Sequence, residues 1–230
     1  MIVYEYICRI VFKNNLIYEA FSEKMANFID NLISKDNELL NFHISNCYKN
    51  YVFDMAYKPE EDKIYKPEKI YTVCIRTIDE RLANYFVKNI RFHKSEEICC
   101  VGGEIRVIPK KMLETVYTLT PALIKCKESY WKENMPLSEY ENRLKINLVK
   151  KYNSFTGEKL NEDFQLYDLI EFKNKKPVKI NYKGIVLLGD KLNFIASKNE
   201  TAQKLWYMSL GTGILENNSR GCGFMNYRYL

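Results

Sequence analysis

Gly211-Thr212-Gly213-Ile214-Leu215-Glu216-Asn217-Asn218-Ser219-Arg220-Gly221-Cys222-Gly223-Phe224 is the most distinctive stretch of this chain. The sequence has nine glycines, and four of them lie here as two Gly-x-Gly pairs. Glycine has no Cβ, so it allows positive φ and the close approach of another backbone. The two pairs flank a polar segment that ends in Arg220. Amide groups and an arginine together suit phosphate oxygens, so we expect a loop whose amides line a phosphate-binding surface.

Three interpretations of this loop compete. In the first it is a tight turn whose glycines serve steric needs alone. In the second it is a nucleotide-binding loop, which requires a strand before it and a helix after it. Here an amphipathic pattern over 199–209 precedes the loop and an aromatic strand over 224–229 follows, which disfavours that interpretation. In the third it clamps an RNA backbone, because 220–227 partly matches an RNA-recognition signature, with Cys222 in place of a stacking aromatic.

A glycine-rich loop between the last helix and the last strand, ending in Gly-x-Gly-Phe, resembles the CRISPR-associated repeat-RNA (pre-crRNA) processing endoribonucleases of the RAMP superfamily. The likeness covers the whole chain in length and layout, whereas its motif is confined to 211–224. The resemblance implies cleavage of CRISPR repeat RNA into guide RNAs, with 2′,3′-cyclic phosphate and 5′-hydroxyl ends. It also implies two ferredoxin-like domains.

The order of predicted elements in the first half agrees with that fold. The pattern predicts a strand over 1–12, a helix over 21–33, and an extended segment over 39–57 around His43. It then predicts a strand over 70–78 and a helix opened by Thr77-x-x-Glu80. Two hairpin strands, 98–101 and 104–108, are predicted around Gly102-Gly103. This order is β-α-β-β-α-β, as in ferredoxin-like domains.

The same order returns in the second half. The pattern predicts strands over 113–124, 166–172, 178–182 and 185–196, helices opened by Ser138-x-x-Glu141 and Ser197-x-x-Glu200, and the last strand. Pro109-Lys110-Lys111 separates the halves. We therefore predict an α+β protein of tandem ferredoxin-like (RRM-like) β-α-β-β-α-β domains, residues 1–110 and 111–230, the second with the glycine-rich loop.

Composition limits the partners and the compartment. With 35 Lys+Arg against 29 Asp+Glu, the net charge of +6 favours a polyanionic partner. The seven cysteines are odd in number and lack a Cys-x-x-Cys pair, which is typical of reduced thiols rather than disulfides or a zinc site. Charges among the first twenty residues argue against a signal peptide, and apolar runs are too short for a membrane span. We predict a cytoplasmic protein that contacts no membrane.

His43 and Lys49 are the predicted catalytic residues. Cleavage of RNA by its own 2′-hydroxyl needs a base, an acid and a cation beside the charged phosphorane. Histidine exchanges protons near neutral pH, and the chain has only two histidines. The resemblance implies a histidine after the first helix and a lysine shortly behind it, positions that His43 and Lys49 match.

Other proton-transfer groups stay open. Some members of the family carry a tyrosine on the first helix, but here 21–35 contains none. The nearest phenols are Tyr18, Tyr48 and Tyr51. His93, in the basic segment Arg91-Phe92-His93-Lys94, is a second candidate. It is also suited to contact phosphate.

Lysines add candidate phosphate contacts. They crowd the second half at Lys173, Lys175, Lys176, Lys179 and Lys183, and the pairs Lys110-Lys111 and Lys125/Lys127 bracket the first strand of that half. Lysines that form a phosphate track would give affinity rather than sequence readout, although an ordinary solvated surface explains these lysines equally well. The predicted RNA-binding residues are Gly211, Gly213, Arg220, Gly221, Gly223, Lys175, Lys176 and Lys179.

The acidic residues form no two-metal carboxylate set, so we predict a metal-independent enzyme without a cofactor. Other subunits of a CRISPR effector complex are further expected partners. One alternative is a non-catalytic RNA-binding subunit of such a complex, with the same fold and loop. A general tandem RNA-recognition protein is another, but paired strand motifs with stacking aromatics are not evident.

Overall fold

A computed structural model describes residues 1–126 and 130–230 of the chain, so Lys127 lies outside the described residues. In chain order the elements are β1 (Val3–Phe12), β2 (Leu16–Ile17), α1 (Phe21–Ile33), α2 (Asn37–Ile44), β3 (Tyr51–Phe53), β4 (Ile64–Tyr65), β5 (Tyr71–Thr77), α3 (Glu80–Asn89), β6 (Ile98–Ile108), β7 (Leu113–Thr118), α4 (Leu137–Thr156), β8 (Tyr167–Phe172), β9 (Val178–Tyr182), β10 (Ile185–Gly189), β11 (Leu192–Ala196), α5 (Glu200–Thr212) and β12 (Met225–Tyr229).

Two four-stranded antiparallel sheets organise the molecule, with strand orders β3-β5-β1-β6 and β12-β7-β11-β8. Each order is the one that a β-α-β-β-α-β chain adopts in a ferredoxin-like domain, with the first and third strands in the centre. Along β1, the alternate residues Tyr6, Cys8, Ile10 and Phe12 are buried in one core with α1 and α3. Pro109–Met112 connects β6 to β7, and the predicted division after residue 110 stays a prediction.

The segment around His43 is helical, so the extended conformation predicted for 39–57 is wrong over its first part. The Asp36 carboxylate caps α2 by accepting from the amides of Glu38 and Leu39, both at 3.0 Å. Leu39 is the one buried residue that α2 contributes. A helix this short with so little apolar face leaves a weak periodic signal, which explains the error.

Two predicted strand boundaries also need correction. Gly102-Gly103 does not turn a hairpin, because β6 runs through it as one strand with a register shift opposite Arg9 and Ile10. A Cβ on Gly103 would lie 2.6 Å from the Tyr6 ring, so this glycine provides space rather than a turn. The predicted strand 185–196 is two strands. Of these, β10 pairs with β9 in a separate hairpin and β11 joins the second sheet.

The helix starts differ slightly from the predicted capping boxes. The side chains that cap α3 and α5 are Asp79 and Asn199, each just before the first helical residue, and Pro136 precedes α4. Gly157 ends α4 in a left-handed conformation.

The two halves contact each other through buried groups. Arg76 of β5 pairs with Glu5 at 2.8 Å, donates to the Met225 carbonyl, and lies 4.3 Å from the Phe224 ring. The hairpin of β9 and β10 reaches the other way, because Tyr182 at its tip is buried in the core of the first half. These contacts hold the glycine-rich loop against the first half. No helix in the described parts of the chain is both long and apolar enough to cross a membrane.

Candidate functional site

The glycines of the loop are buried and fix its shape. Because α5 continues to Thr212, Gly211 is helical, and a Cβ there would lie 2.8 Å from Ile78. Gly213, Gly221 and Gly223 have φ values of 69°, 80° and 68°, in the left-handed region that favours glycine. Gly211 thus allows α5 to pack against the first half, and the other three shape the loop.

The amides of these glycines point inward rather than along a surface. Gly213 donates to the Ser209 carbonyl, Gly221 to Asn218 and Gly223 to Pro121, at 2.8, 3.0 and 2.8 Å. The surface of amides expected from the sequence is therefore not formed by the glycines. Residues 216–220, which are partly or fully exposed, form the accessible part of the loop.

We call the cavity beside this exposed part the site cavity. Its volume is about 370 Å³, and it opens between the loop 45–51, which follows α2, and residues 215–220. Its other lining residues are Lys125, Asn147, Lys151 and Thr212. With Lys49 and Arg220, four basic side chains line it among the described residues, against the one carboxylate of Glu216. Such a composition fits phosphate oxygens.

Lys151 supports the loop from below. Although only 2% exposed, its ammonium donates to the carbonyls of Gly213 and Leu215 and to Oδ1 of Asn218, at 2.8, 3.1 and 2.7 Å. Burial lowers the pKa of Lys151 to about 7, and Glu216 opposes that shift. Asn218 in turn donates to the carbonyls of Ile214 and Cys222, both at 2.9 Å. One buried lysine therefore fixes both sides of the loop.

His43 lies in the last turn of α2, immediately before the cavity-lining loop 45–51. Its Nε2 is 3.4 Å from Oδ1 of Asp30 on α1. Its Nδ1 is buried and has no hydrogen-bond partner among the described residues. Burial raises the pKa of Asp30, and the charges of His43, Lys183, Arg220 and Lys49 oppose that rise. Asp30 is thus the anion around which the cations of four segments collect.

Lys49 is folded back on the end of α2. Its ammonium donates to the carbonyls of Phe42, at 3.0 Å, and Ser45. A cation at a helix C-terminus is favourable because the last carbonyls have no intrahelical partner. Lys49 therefore fixes the turn that carries His43 and also lines the site cavity. The structure brings the two predicted catalytic residues to adjoining positions.

Arg220 contacts the β9–β10 hairpin, which carries Lys179. The Arg220 guanidinium lies 4.4 Å from the Tyr182 ring. Lys179 lines a second groove, of about 240 Å³, that Gly221 also lines. Lys175 and Lys176 are exposed in the turn between β8 and β9. These positions are compatible with the predicted phosphate track, which stays a prediction.

The other candidates for proton transfer differ in access. His93 is 2% exposed, packs against Phe28 with ring centroids 4.6 Å apart, and contacts the Phe28 carbonyl and Lys35, so it lies inside the core rather than on a basic surface. Tyr51 is 1% exposed and its pKa is raised by burial. Tyr18 lines the second groove, whereas Tyr48 lines the site cavity, half-buried.

Sequence reasoning missed Asp30 and Lys151. Lys151 follows Leu144 and Leu148 at helical spacing on α4, so its place on the apolar face was a usable signal. Asp30 gave no such signal, because its role depends on a contact between two helices. No group of three or more His, Cys, Asp or Glu side chains that could hold a metal ion occurs within the described ranges.

Comparisons with known proteins agree with this architecture. A family model described as "CRISPR associated protein Cas6, C-terminal" matches residues 105–227. A solved structure described as "CRISPR associated protein Cas6" has a TM-score of 0.72 at 18% identity, and the match covers 98% of this chain and 99% of that chain. Another, of "an RAMP protein binding different RNA substrates", has a TM-score of 0.72 at 17% identity with the same coverage.

A Cas6-related protein from Pyrococcus furiosus is similar as well, with a TM-score of 0.72 at 14% identity and 98% of each chain covered. A comparison with curated protein sequences finds no match. At these identities the structural likenesses show the fold. They confirm the predicted α+β class of tandem ferredoxin-like domains.

Proposed function

Since the chain belongs to the Cas6 family of CRISPR-associated proteins, whose C-terminal model covers more than half of it, we propose that it is a metal-independent endoribonuclease acting on CRISPR repeat RNA. The family processes CRISPR RNA. In this proposal the protein binds the repeat, cuts it once to make guide RNAs, and leaves 2′,3′-cyclic phosphate and 5′-hydroxyl ends.

The observation that carries the proposal is the meeting of cations from both halves at one cavity beside His43. Lys49 comes from the first half, and Lys125, Lys151 and Arg220 come from the second. A phosphodiester in the site cavity would lie next to the turn of α2 that carries His43. Proximity of a proton-transfer group and cations to one phosphate is the arrangement that this cleavage needs.

The roles follow from the chemistry of the groups. The 2′-hydroxyl oxygen attacks the phosphorus, its proton leaves to a base, and an acid protonates the departing 5′-oxygen. His43 supplies one of the two proton transfers. Lys49 uses two of its three protons on the end of α2 and directs positive charge at the phosphorane. Arg220 and the loop clamp the RNA backbone, and Lys175, Lys176 and Lys179 add phosphate contacts.

One observation favours a second candidate, an RNA-binding protein that does not cut. The Nε2 atom of His43 faces Asp30, and its Nδ1 atom is buried without a partner among the described residues. A ring held in this way must turn or exchange a contact before it can reach RNA. The same fold and cavity would then bind repeat RNA within an effector complex.

Single-turnover cleavage of repeat RNA separates the two candidates. His43→Ala should slow cleavage roughly 10²–10⁴-fold, the usual contribution of a proton-transfer group, while the RNA dissociation constant changes little. Asn41→Ala, on the same helix and exposed, is the matched control and should cut at the wild-type rate. Wild-type protein that binds repeat RNA without cutting it would reject the enzyme in favour of the second candidate.

The chemistry has its own test. Cleavage should persist in EDTA, because side chains and water, rather than a metal ion, supply the proton transfers and the positive charge. It should stop when the nucleotide 5′ to the cut carries 2′-deoxyribose, since the nucleophile is then absent. Activity that EDTA abolishes and magnesium restores, on RNA whose fold is unchanged, would contradict metal independence.

A further inference from the structure

We infer that Asp30 is a positioning residue that commits His43 to the role of general acid, which rests on the function proposed above. Asp30 is on α1, which offers no tyrosine within Phe21–Ile33. Its carboxylate is the acidic group found 3.4 Å from the His43 ring. The contact joins α1 to the last turn of α2.

The geometry assigns the proton on the ring. A carboxylate oxygen only accepts hydrogen bonds, so the nitrogen that faces it carries the hydrogen. That nitrogen is Nε2, on a side chain that is 25% exposed. The other nitrogen, Nδ1, is buried and so cannot take a proton from an RNA hydroxyl. Nε2, which reaches RNA once the ring exchanges its contact with Asp30, is therefore a donor, which suits the acid and not the base.

Charge supports a specific role for Asp30. A carboxylate next to an RNA site repels phosphates, so Asp30 lowers affinity for RNA. It lies within electrostatic reach of His43, Lys49, Lys183 and Arg220, and all four favour its ionised form. Its side chain is 36% exposed, so it contributes little to the apolar core. An anion at this position is consistent with a role in orienting His43 rather than in binding RNA.

The step balances as follows. The bond from the 2′-oxygen to phosphorus forms as the hydroxyl proton passes to water. The bond from phosphorus to the 5′-oxygen breaks, and that oxygen takes the Nε2 proton from the imidazolium of His43. The ring remains as the neutral form with its proton on Nδ1, and a proton from water restores Nε2. Asp30 orients the ring before transfer and again once Nε2 has regained its proton, without itself giving up a proton.

Rates and affinities measured separately test the positioning role. Asp30→Ala should slow single-turnover cleavage roughly 10–100-fold, the range typical for loss of a carboxylate that orients a metal-bound histidine. RNA affinity should stay equal or rise, because a negative charge has left the site. Asp30→Asn keeps the shape of the side chain, and it should also cut more slowly than wild type. Glu23→Ala removes another carboxylate from the same helix and should cut at the wild-type rate.

A double variant and a modified substrate test the path through His43. Asp30→Ala/His43→Ala should cut at the rate of His43→Ala alone, because Asp30 acts through that ring. RNA with a 5′-bridging sulfur at the cut has a leaving group that needs no protonation. On this RNA both single variants should approach the wild-type rate.

The outcomes are distinguishable. If wild-type protein cuts repeat RNA and Asp30→Ala and Asp30→Asn cut equally fast, the positioning role is rejected while the proposed function stands. If the sulfur substrate leaves His43→Ala slow, His43 is the base and the acid assignment is rejected. If wild-type protein does not cut, the proposed function itself fails.

Discussion

Gly221 is one of the loop glycines that leave no room for a side chain. Its φ is +80°, and a Cβ would lie 2.6 Å from the Phe53 ring of β3. Gly157 has a similar φ of +75°, but a Cβ there would meet nothing within 4 Å. A comparison of the two glycines therefore separates the cost of left-handed backbone from the cost of crowding by neighbouring atoms.

We expect Gly221→Ala to destabilise the protein more than Gly157→Ala. Left-handed backbone costs an alanine about 1–2 kcal/mol, which applies to both variants. Gly221→Ala must in addition displace Phe53 and the loop, and should also weaken RNA binding. Urea unfolding of both variants, with a binding titration, measures these effects. Equal losses of stability would mean that the loop accommodates a side chain at residue 221.

Single residues were the least predictable part of the site. His43, Lys49 and Arg220 were predicted from the sequence by their residue types and, for the first two, by the family resemblance, and their roles stay predictions. Asp30 was not, since a carboxylate on a helix gains this significance only from what faces it. The Gly221 contact with Phe53 is likewise invisible in the sequence, because 168 residues (221 − 53) separate the two along the chain.

Among the elements, α4 supports the glycine-rich loop through Lys151. The folded protein holds this lysine with its pKa lowered to about 7, whereas an unfolded lysine ionises near 10.4. Between these pH values the unfolded chain binds more protons. The free energy of unfolding therefore rises with pH through this window, and the cost of burying the charged lysine is largest below about pH 7.

Lys151→Met should remove this dependence. The free energy of unfolding of wild type relative to the variant should rise with pH between 7 and 10, by at most about 1.4 kcal/mol per pH unit. Exchange of the amides of residues 213–220 should also become faster, because three carbonyl or amide oxygens lose their donor. Lys150→Met, at the exposed neighbouring position, is the control. Parallel pH curves for wild type and Lys151→Met would contradict the shifted pKa.

The predicted elements were correct where periodicity was strong. The strands β1 and β5 and the helices α1 and α4 follow clear patterns of buried residues. The short α2 failed because its capping and its contacts determine it more than its own pattern does. The split of 185–196 into β10 and β11 was not predicted either, because both strands are extended and only their pairing partners distinguish them.

At the scale of the molecule, basic side chains from both halves meet at one cavity. Lys49 of the first half and Lys125 and Arg220 of the second line it, although the sequence separates them. The repeated element order allowed the two-domain fold to be predicted. The relative placement of the halves could not be predicted, because it depends on contacts such as those of Arg76 with the Met225 carbonyl and the Phe224 ring.

Binding of repeat RNA should therefore be strongly salt-dependent. Arg220→Ala should flatten the plot of log affinity against log salt by about 0.7, the value for one contact to single-stranded nucleic acid. Arg220→Lys retains the charge and should keep most of the slope, which separates phosphate contact from packing on Tyr182. Filter-binding titrations at several salt concentrations measure this slope for each variant. An unchanged slope for Arg220→Ala would remove this residue from the RNA contacts.

Tyr182 also has a consequence for how the protein is made. It is 7% exposed and completes the core of the first half, although it belongs to a hairpin of the second. Domains generally fold in turn as the chain leaves the ribosome. Here the first core lacks one of its aromatic side chains until residue 182 has emerged. We therefore expect the first half to remain incomplete through most of translation and to reach its final protease resistance only after the hairpin has been synthesised.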